Sequence, residues 1–324
     1  MSHTQIARPR LSIGLPVYNG ARWIAVALDS LLSQSFRDFE LIISDNCSTD
    51  ETGSICEEYA RRDDRIRYVQ QSINRGLVWN WNHVFELSNS EYFKWSACDD
   101  VFAPGFLEQC IAVLDNDPGV VWCHSRTQHI DCRGELLLGE QTPAVSYVCA
   151  DGSPDKICRT SDQASKRFQA ILLGKDGCMD SYGVIRSSVL RRTGLYPAYY
   201  GSEKVLMAEL ALWGSYYEVP EVLCFARVHD NAAGSLRSAR QQRFCINPFA
   251  RRWQSDRLGL LRSYIAAVSR AELPRSEKAR CYAVIGKYLL QTRKWTAVLR
   301  KMMTGAGLTG EYPSTAPAAA NLET

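Results

Sequence analysis

Apolar and polar positions alternate in two different patterns along the first part of the chain. Short apolar runs at 11–17, 39–44, 66–70, 92–96 and 120–124 predict buried strands. Stretches with helical spacing at 22–33, 51–62, 77–87 and 104–115 separate them, and Ile24, Leu28 and Leu31 share one helical face. These repeated strand-then-helix units predict an α/β, Rossmann-like fold with a mostly parallel central sheet and helices on both faces.

The pattern changes after residue 126. Turn-forming residues at 127–160 predict loops and a hairpin, before a helix at 162–173, a strand at 181–186, a helix at 203–213 and strands at 216–219 and 222–228. Helical spacing then continues from 236 to about 303. We therefore divide the chain into a tail (1–10), an α/β domain (11–235, with halves 11–124 and 125–235), a helical extension (236–303) and a disordered tail (304–324).

Charge is distributed unevenly between these parts. Residues 1–235 contain 22 basic and 30 acidic side chains, and residues 236–324 contain 16 and 5. This asymmetry suggests different roles for the two parts. Residues 1–10 lack an apolar signal core, and no stretch approaches about 18 continuous apolar residues. We therefore expect a cytoplasmic protein that does not span a membrane.

Twelve cysteines raise the possibility of a metal site or disulfides. No two of them have C-x-x-C spacing, so a disulfide framework is not expected. Cys123, His124, His129 and Cys132 carry suitable atoms for zinc. However, neighbouring Cys123 and His124 point to opposite faces of a strand. We favour buried thiols on a hairpin and keep zinc as the alternative.

Polar side chains follow several of the predicted strands. The segments that contain these side chains are Pro16-Val17-Tyr18-Asn19, Asp45-Asn46-Cys47-Ser48, Asn74-Arg75-Gly76 and Asp99-Asp100. In sheets of this type, ligands bind beyond the carboxyl ends of the strands. An aromatic ring such as Tyr18 can stack on a nucleobase, and the carboxylate or amide at 45–46 can form hydrogen bonds with the edge of that nucleobase. Each segment alone is also explained by turn geometry, which favours Asn and Asp.

Asp99 and Asp100 are the sharpest of these signals. Two adjacent carboxylates without a partner repel each other, and Mg²⁺ or Mn²⁺ is typically held by one or two carboxylates together with substrate phosphate oxygens. The alternative is that they cap the helix that begins near Pro104. A second cap is predicted upstream, where Ser48 and Glu51 match the S-x-x-E capping box.

Four ordered motifs reveal a resemblance. SIGLPVYNG at 12–20, ELIISDNCSTDET at 40–52, NRGLVWNWN at 74–82 and KWSACDDVFAPGFLE at 94–108 are similar to the inverting family-2 glycosyltransferases of GT-A fold. The similarity extends over roughly residues 11–230. It implies a nucleotide-sugar donor bound by the first half, an acceptor bound by the second half, a Mn²⁺ or Mg²⁺ ion at a D-x-D-like segment, and an acidic general base further along the chain.

The resemblance also implies roles for individual residues. Base and ribose contacts fall on Pro16, Tyr18, Asp45 and Asn46, and the neighbouring loop residues Asn19, Asn74 and Arg75 complete the expected nucleotide-sugar site. Asp99 would face the ribose and diphosphate. The expected metal ligands are Asp99, Asp100 and His229, and Glu203 in the segment 201–203 is the expected catalytic base.

This chain departs from the family pattern at four positions. Ala97 replaces the first carboxylate of D-x-D, Asn46 stands where many relatives have Asp, Ser202 replaces the first acid of the base dyad, and Trp81 stands where Arg is common. UDP is therefore favoured as the nucleotide but not fixed. The departures at Ala97 and Ser202 also motivate an alternative, a catalytically silent nucleotide-sugar-binding protein.

The acceptor implied by the resemblance is a glycan or a lipid-linked molecule. A predicted helix at 276–302 combines an apolar stripe with seven basic residues, namely Lys278, Arg280, Lys287, Arg293, Lys294, Arg300 and Lys301. It suits peripheral contact with an anionic inner membrane leaflet. Equally, its stripe (Tyr282, Ile285, Leu289, Val298 and Met302) can pack on the domain and leave the basic residues in solvent. Nucleic-acid binding is not expected.

Overall fold

One mixed sheet organises the described part of the protein. The computed structural model describes residues 8–137, 161–174, 179–230, 239–249, 256–291 and 295. Within them the strands are β1 (Leu11–Val17), β2 (Phe39–Asp45), β3 (Ile66–Gln70), β4 (Tyr92–Trp95), β5 (Val101–Phe102), β6 (Val120–Ile130), β7 (Val184–Arg186) and β8 (Ser215–Arg227). Their spatial order is β3-β2-β1-β4-β7-β6-β8-β5.

Most neighbouring strands run in parallel. The pairs β1–β2, β1–β4, β2–β3 and β6–β8 are parallel, whereas β7 is antiparallel to β4 and β6, and β5 is antiparallel to β8. The β1–β2 register aligns Val17 with Asp45, so the loops that follow both strands emerge at the same edge. The predicted α/β sheet is therefore confirmed, and it positions the polar segments together.

Helices cover both faces of this sheet. They are α1 (Ile24–Leu32), α2 (Thr52–Arg62), α3 (Leu77–Glu86), α4 (Phe106–Asn116), α5 (Ala164–Leu173), α6 (Ser187–Leu190), α7 (Ser202–Trp213), α8 (Ala239–Ile246), α9 (Asp256–Arg270) and α10 (Arg275–Leu289), with a 3₁₀ turn at Met179–Tyr182. Helices α1, α2 and α4 contribute to one hydrophobic cluster. Helices α3, α5, α7, α9 and α10 contribute to the other.

Strands β6 and β8 differ from the prediction. Strand β6 continues to Ile130, beyond the expected end at 124, and β8 is one strand where two were expected. The register passes from Ser125–Val219 to Arg126–Val222, so Pro220 and Glu221 form a bulge within a continuous pairing. Proline lacks the amide hydrogen that a ladder uses and is tolerated at bulges. The gap between the strands predicted at 216–219 and 222–228 is therefore this bulge.

The predicted capping box is wrong. Helix α2 begins at Thr52 after Glu51, and its cap position makes no side-chain hydrogen bond. The Ser48 hydroxyl instead accepts a hydrogen bond from the Asn19 backbone amide at 2.9 Å. The serine therefore joins two loops and does not start a helix.

The helices after residue 236 belong to the hydrophobic core. Tyr264 and Val268 of α9, and Ile285 and Tyr288 of α10, are buried in the same cluster as α3 and α7. Helix α10 ends at Leu289, and residues 292–294 and 296–324 lie outside the described part, including the predicted helix end and the predicted disordered tail. The described helix packs an apolar face on the domain, but of the predicted stripe only Ile285 belongs to it among the described residues, whereas Tyr282 and Leu289 are exposed.

An ion pair between a partly exposed arginine and a buried glutamate joins α9 to α7. Glu209 is fully buried and receives the Arg270 guanidinium through two bonds of 2.8 and 3.0 Å, while the Gly194 backbone amide donates to the same carboxylate at 3.0 Å. Removing one partner of a buried pair leaves an uncompensated charge, which costs about 3–5 kcal/mol.

We expect Arg270→Ala to lower the free energy of unfolding by about 2–3 kcal/mol, less than for a fully buried pair because the arginine is partly exposed. Urea denaturation followed by circular dichroism measures this loss. The matched control is Arg62→Ala, whose partner Glu58 is exposed, with an expected loss of about 0.5 kcal/mol or less. Equal losses in the two variants would contradict the expectation.

Candidate active site

The loops after β1 and β2 are joined at the edge of the sheet. Asn19 has a positive φ of 52°, and its side-chain oxygen accepts a hydrogen bond from the Thr49 amide at 2.8 Å. In return, the Asn19 backbone amide donates a hydrogen bond to the Ser48 hydroxyl of the loop after β2. Pro16 is buried at the end of β1, whereas Tyr18 is 47% exposed beside the joined loops. The phenol ring is therefore available to a ligand.

Asp45 is oriented into the protein. It is fully buried and accepts hydrogen bonds from the Ser48 amide and from the Tyr68 hydroxyl, both at 2.8 Å. Burial and this hydrogen bond to Asp45 raise the pKa of Tyr68 well above its ordinary value. The carboxylate therefore fixes the loop after β2 and leaves less hydrogen-bonding capacity for a nucleotide.

Asn46 fixes the third loop in the same way. Its Oδ1 accepts the Arg75 amide at 2.9 Å, and its Nδ2 donates to Asn74 Oδ1 at 3.0 Å. Arg75 is exposed, with its guanidinium 4.9 Å from the Trp79 ring centre. Nucleotide contacts by Asp45 and Asn46 stay a prediction, whereas Tyr18, Asn19 and Arg75 are exposed at this edge.

Asp99 pairs with a residue more than a hundred positions away. Its Oδ2 lies 2.7 Å from Nε2 of His229, just beyond β8, and the two side chains retain 19% and 9% exposure. A Cβ on Gly20 would lie 3.0 Å from the Cys98 sulfur, so the loop after β1 packs against the segment that leads to Asp99. The structure thus brings the carboxylate and imidazole next to the predicted nucleotide loops.

Asp100 has a different environment from Asp99. It is 4% exposed and its Oδ1 accepts the Arg227 backbone amide at 3.0 Å. Burial, and then the neighbouring Asp99 charge, raise the pKa of Asp100 to about 7. Helix α4 begins after Gly105 without a side-chain cap, so neither aspartate caps it. Asp100 anchors the segment to β8, and Asp99 is the more accessible carboxylate.

Two residues that sequence reading missed hold this pair in place. The Trp23 ring centre lies 4.1 Å from that of His229. Arg227 donates from Nε to the Asp99 carbonyl at 2.9 Å and from Nη1 to the Asp131 carbonyl at 2.8 Å. Neither residue falls in a recognisable motif. Their roles depend on pairing between β8 and β5, which no local pattern predicts.

Glu203 lies in the first turn of α7, after Gly201, whose positive φ of 83° favours glycine. Its side chain is exposed at the surface. The surrounding protein nevertheless desolvates the carboxyl and raises its pKa, while a hydrogen bond from the Glu203 backbone amide lowers the pKa by a smaller amount. A raised pKa suits a general base that works near neutral pH.

Tyr182 connects Glu203 electrostatically to the aspartates. Burial raises its pKa well above the ordinary value, and the charges of Asp100, Asp99 and Glu203 add to this effect. The phenol therefore lies within electrostatic reach of both groups. Its ring centre is 5.7 Å from that of Trp81, so this departure from the family pattern serves aromatic packing here. The predicted strand at 181–186 gave no hint of this, because Tyr182 ends a 3₁₀ turn.

The cysteine and histidine cluster at 123–132 spreads along β6 and the following turn. Cys123, His124 and His129 are buried, whereas Cys132 is exposed. Among the residues that the structure describes, no group of three or more His, Cys, Asp or Glu side chains is arranged to hold a metal ion. The zinc alternative gains no support from these positions. In the same residues no helix has the length and apolar character needed to cross a bilayer.

Comparisons with known proteins agree with the motifs. The family model of glycosyl transferase family 2 matches residues 12–194. The chain is 35% identical over 108 residues to the putative glycosyltransferase EpsE of Bacillus subtilis, covering 33% of this chain and 39% of that protein. It is 28% identical over 227 residues to the uncharacterized glycosyltransferase RT0329 of Rickettsia typhi, covering 68% and 65%. It therefore spans less than two thirds of the length of either relative.

The fold has a counterpart among solved structures. Residues 1–349 of TarS from S. aureus, crystallised in complex with UDP, superpose with a TM-score of 0.60 and 16% identity, covering 91% of this chain and 75% of that one. This likeness confirms the expected GT-A fold. Since the family model spans more than half of the chain, the chain belongs to glycosyl transferase family 2, a family of transferase enzymes.

Proposed function

We propose that this protein transfers a sugar from a nucleoside-diphosphate sugar, with UDP favoured, to a glycan or lipid-linked acceptor, with inversion at the anomeric carbon. The observation that carries the proposal is the Asp99–His229 pair, 2.7 Å apart and partly accessible beside the three joined loops. The UDP complex of the structural neighbour TarS agrees with a uridine nucleotide. Glu203 is proposed as the acidic base, and its charge, like those of Asp99 and Asp100, contributes to the raised pKa of Tyr182.

The residues at this pair fit a divalent cation. A carboxylate oxygen is a preferred ligand of both Mn²⁺ and Mg²⁺, and one or two protein carboxylates are enough when substrate phosphates supply the other ligands. We propose Asp99 and His229 as the ligands. Asp100 suits this role less well, because it is buried and bonded to the Arg227 amide. When bound, the ion would stabilise negative charge on the leaving diphosphate.

The chain's own groups account for the remaining steps. Tyr18 and Arg75, both exposed, would bind the nucleoside and its phosphates. Glu203 would accept the proton of the acceptor hydroxyl as that oxygen attacks the anomeric carbon and the nucleoside diphosphate departs from the opposite face. Such a single displacement inverts the configuration at that carbon. Trp23 and Arg227 would keep the Asp99–His229 pair in place.

The proposal is tested by incubating the protein with Mn²⁺ and a panel of UDP-sugars and GDP-sugars. Thermal shift identifies the donor that binds, and released nucleoside diphosphate reports turnover. Binding with slow release of UDP supports an enzyme, because a competent site transfers some sugar to water. Binding without any release, even with acceptor extracts, would favour the silent nucleotide-sugar-binding protein. No binding of any nucleotide would contradict both.

The pH dependence gives a further prediction. A general base must be deprotonated, so kcat falls as pH drops through the pKa of Glu203. Since that pKa is raised, we expect the acidic limb above the ordinary glutamate value of about 4.3. Initial rates between pH 4 and 9 at saturating donor measure it. In Glu203→Asp, the limb should persist at reduced rate, and a profile flat down to pH 4 would argue against this base.

Peripheral contact with an anionic membrane surface is also part of the proposal, and in the described residues it depends on α10. On α10, Ile285 and Tyr288 are buried, whereas Tyr282 and Leu289 are 41% and 43% exposed. These two side chains and the exposed basic residues Arg280 and Lys287 are available to an anionic surface. Flotation of the full-length chain with anionic and with neutral vesicles tests it, and equal flotation with both would contradict an electrostatic contact.

A further inference from the structure

A cavity is lined in part by Trp23, the residue whose ring also contacts His229. It has a volume of about 620 Å³ and lies between α1, β5, the ends of β6 and β8 and the turn at 131–136. Sites for small molecules commonly measure about 300–1,000 Å³. Its apolar lining consists of Trp23, Val26, Val101, Ile130, Leu136 and Phe225.

All charged side chains among the described residues lining this cavity are arginines. They are Arg22, Arg133 and Arg227. This concentration is notable because residues 1–235 otherwise contain more acidic than basic side chains. Arg22 and Arg133 are exposed at the rim, whereas Arg227 is 9% exposed and donates to the carbonyls of Asp99 and Asp131. The rim is therefore positively charged above an apolar floor.

The lining also lacks groups that a sugar would need. Apart from the arginines, its described residues carry no hydroxyl, amide or carboxylate side chain. The Trp23 indole N–H is directed at the Cys132 carbonyl at 3.5 Å. A glycan or a nucleobase would leave its polar groups without partners on such a surface, which is costly. An aliphatic chain would not.

We propose that this arginine-rimmed groove (Arg22, Arg133 and Arg227 around the six apolar residues) binds an anionic amphiphile, with a phosphate head among the arginines and an aliphatic chain on the floor. Arginine pairs with phosphate through charge-assisted, often bidentate hydrogen bonds. Trp23 and Arg227 belong both to the groove and to the support of the Asp99–His229 pair, so the head group would lie beside the transfer site. The groove would therefore take a phosphate-headed lipid as its ligand, whichever acceptor the proposed transfer uses.

The test is calorimetric titration of the full-length chain with decyl phosphate below its micellar concentration. Inorganic phosphate and decyl glucoside are the controls for the head and the chain. We expect decyl phosphate to bind at least about tenfold more tightly than either, which corresponds to about 1.4 kcal/mol. Equal or weaker binding than either control would overturn the proposal.

Matched variants locate the site. Arg22→Gln with Arg133→Gln should weaken decyl phosphate binding at least about tenfold, because two charge-assisted bonds are lost. Arg61→Gln with Arg67→Gln removes the same charge from exposed positions elsewhere and should leave the affinity unchanged. Val26→Asp, at a residue 49% exposed on α1, should weaken binding by placing a carboxylate on the floor. Unchanged affinity in both groove variants would overturn the assignment.

UDP titrations separate this inference from the proposed function. All groove variants should bind UDP with Mn²⁺ within about twofold of the parent chain, and UDP should not displace decyl phosphate. Displacement would show that the amphiphile occupies the donor site and would overturn the groove. Binding of a UDP-sugar without binding of decyl phosphate would support the proposed function and contradict the amphiphile site in the groove. Binding of decyl phosphate without any nucleotide-sugar contradicts only the proposed transfer.

Discussion

The Glu203→Gln variant should transfer sugar at about 10²- to 10⁴-fold lower rate than the parent chain, the usual contribution of a positioned general base. Glutamine keeps the size of the side chain and its place in the first turn of α7 but cannot accept the acceptor proton. Initial rates of nucleoside diphosphate release with donor and acceptor measure the loss. Donor affinity, measured by calorimetry, should remain within a few-fold.

Two observations would contradict this role. Activity above one tenth of the parent rate would exclude Glu203 as the base. Loss of donor binding together with activity would indicate a disturbed fold. Glu221→Gln is the matched control, because Glu221 is exposed on β8 and the same charge is removed without contact to the proposed site. Its rate should equal that of the parent chain.

The second large effect concerns Asp99. We expect Asp99→Asn to abolish the Mn²⁺-dependent part of UDP binding, a loss of at least about 10- to 100-fold, since substitutions merely adjacent to metal ligands already cost this much in metal affinity. Asparagine can still accept a hydrogen bond from His229, so the change removes charge more than packing. Titration of UDP with and without Mn²⁺ measures the difference.

The control is a substitution of the same type at a distant site. Asp64→Asn changes an exposed aspartate between α2 and β3, and the Mn²⁺ dependence should persist. If the Asp99 variant shows the same gain in affinity on adding Mn²⁺ as the parent chain, the proposed ligand set is wrong. Identical UDP binding by the parent chain with and without the ion would also remove the metal from the proposal.

Local patterns in the chain were sufficient for the scaffold. The strands at 11–17 and 66–70 were predicted with their observed bounds, because an apolar run between turn residues reports burial directly. The face Ile24, Leu28 and Leu31 is buried as its spacing requires. The four motifs also identified the family correctly. Such features depend on residues that are close together in the chain, so the sequence alone is enough to predict them.

Long-range pairing decided the surroundings of the predicted site residues. The sequence presents Asp99 and Asp100 as equivalent, yet β8 buries Asp100 through the Arg227 amide and leaves Asp99 beside His229. Asp45 and Asn46, which are predicted ligand contacts, also accept hydrogen bonds from the Ser48 and Arg75 backbone amides. Trp23, Arg227 and Tyr182 carry no local signal. The physical reason is that a polar group bonds whichever partner the folded chain places within about 3 Å, and those partners come from distant segments.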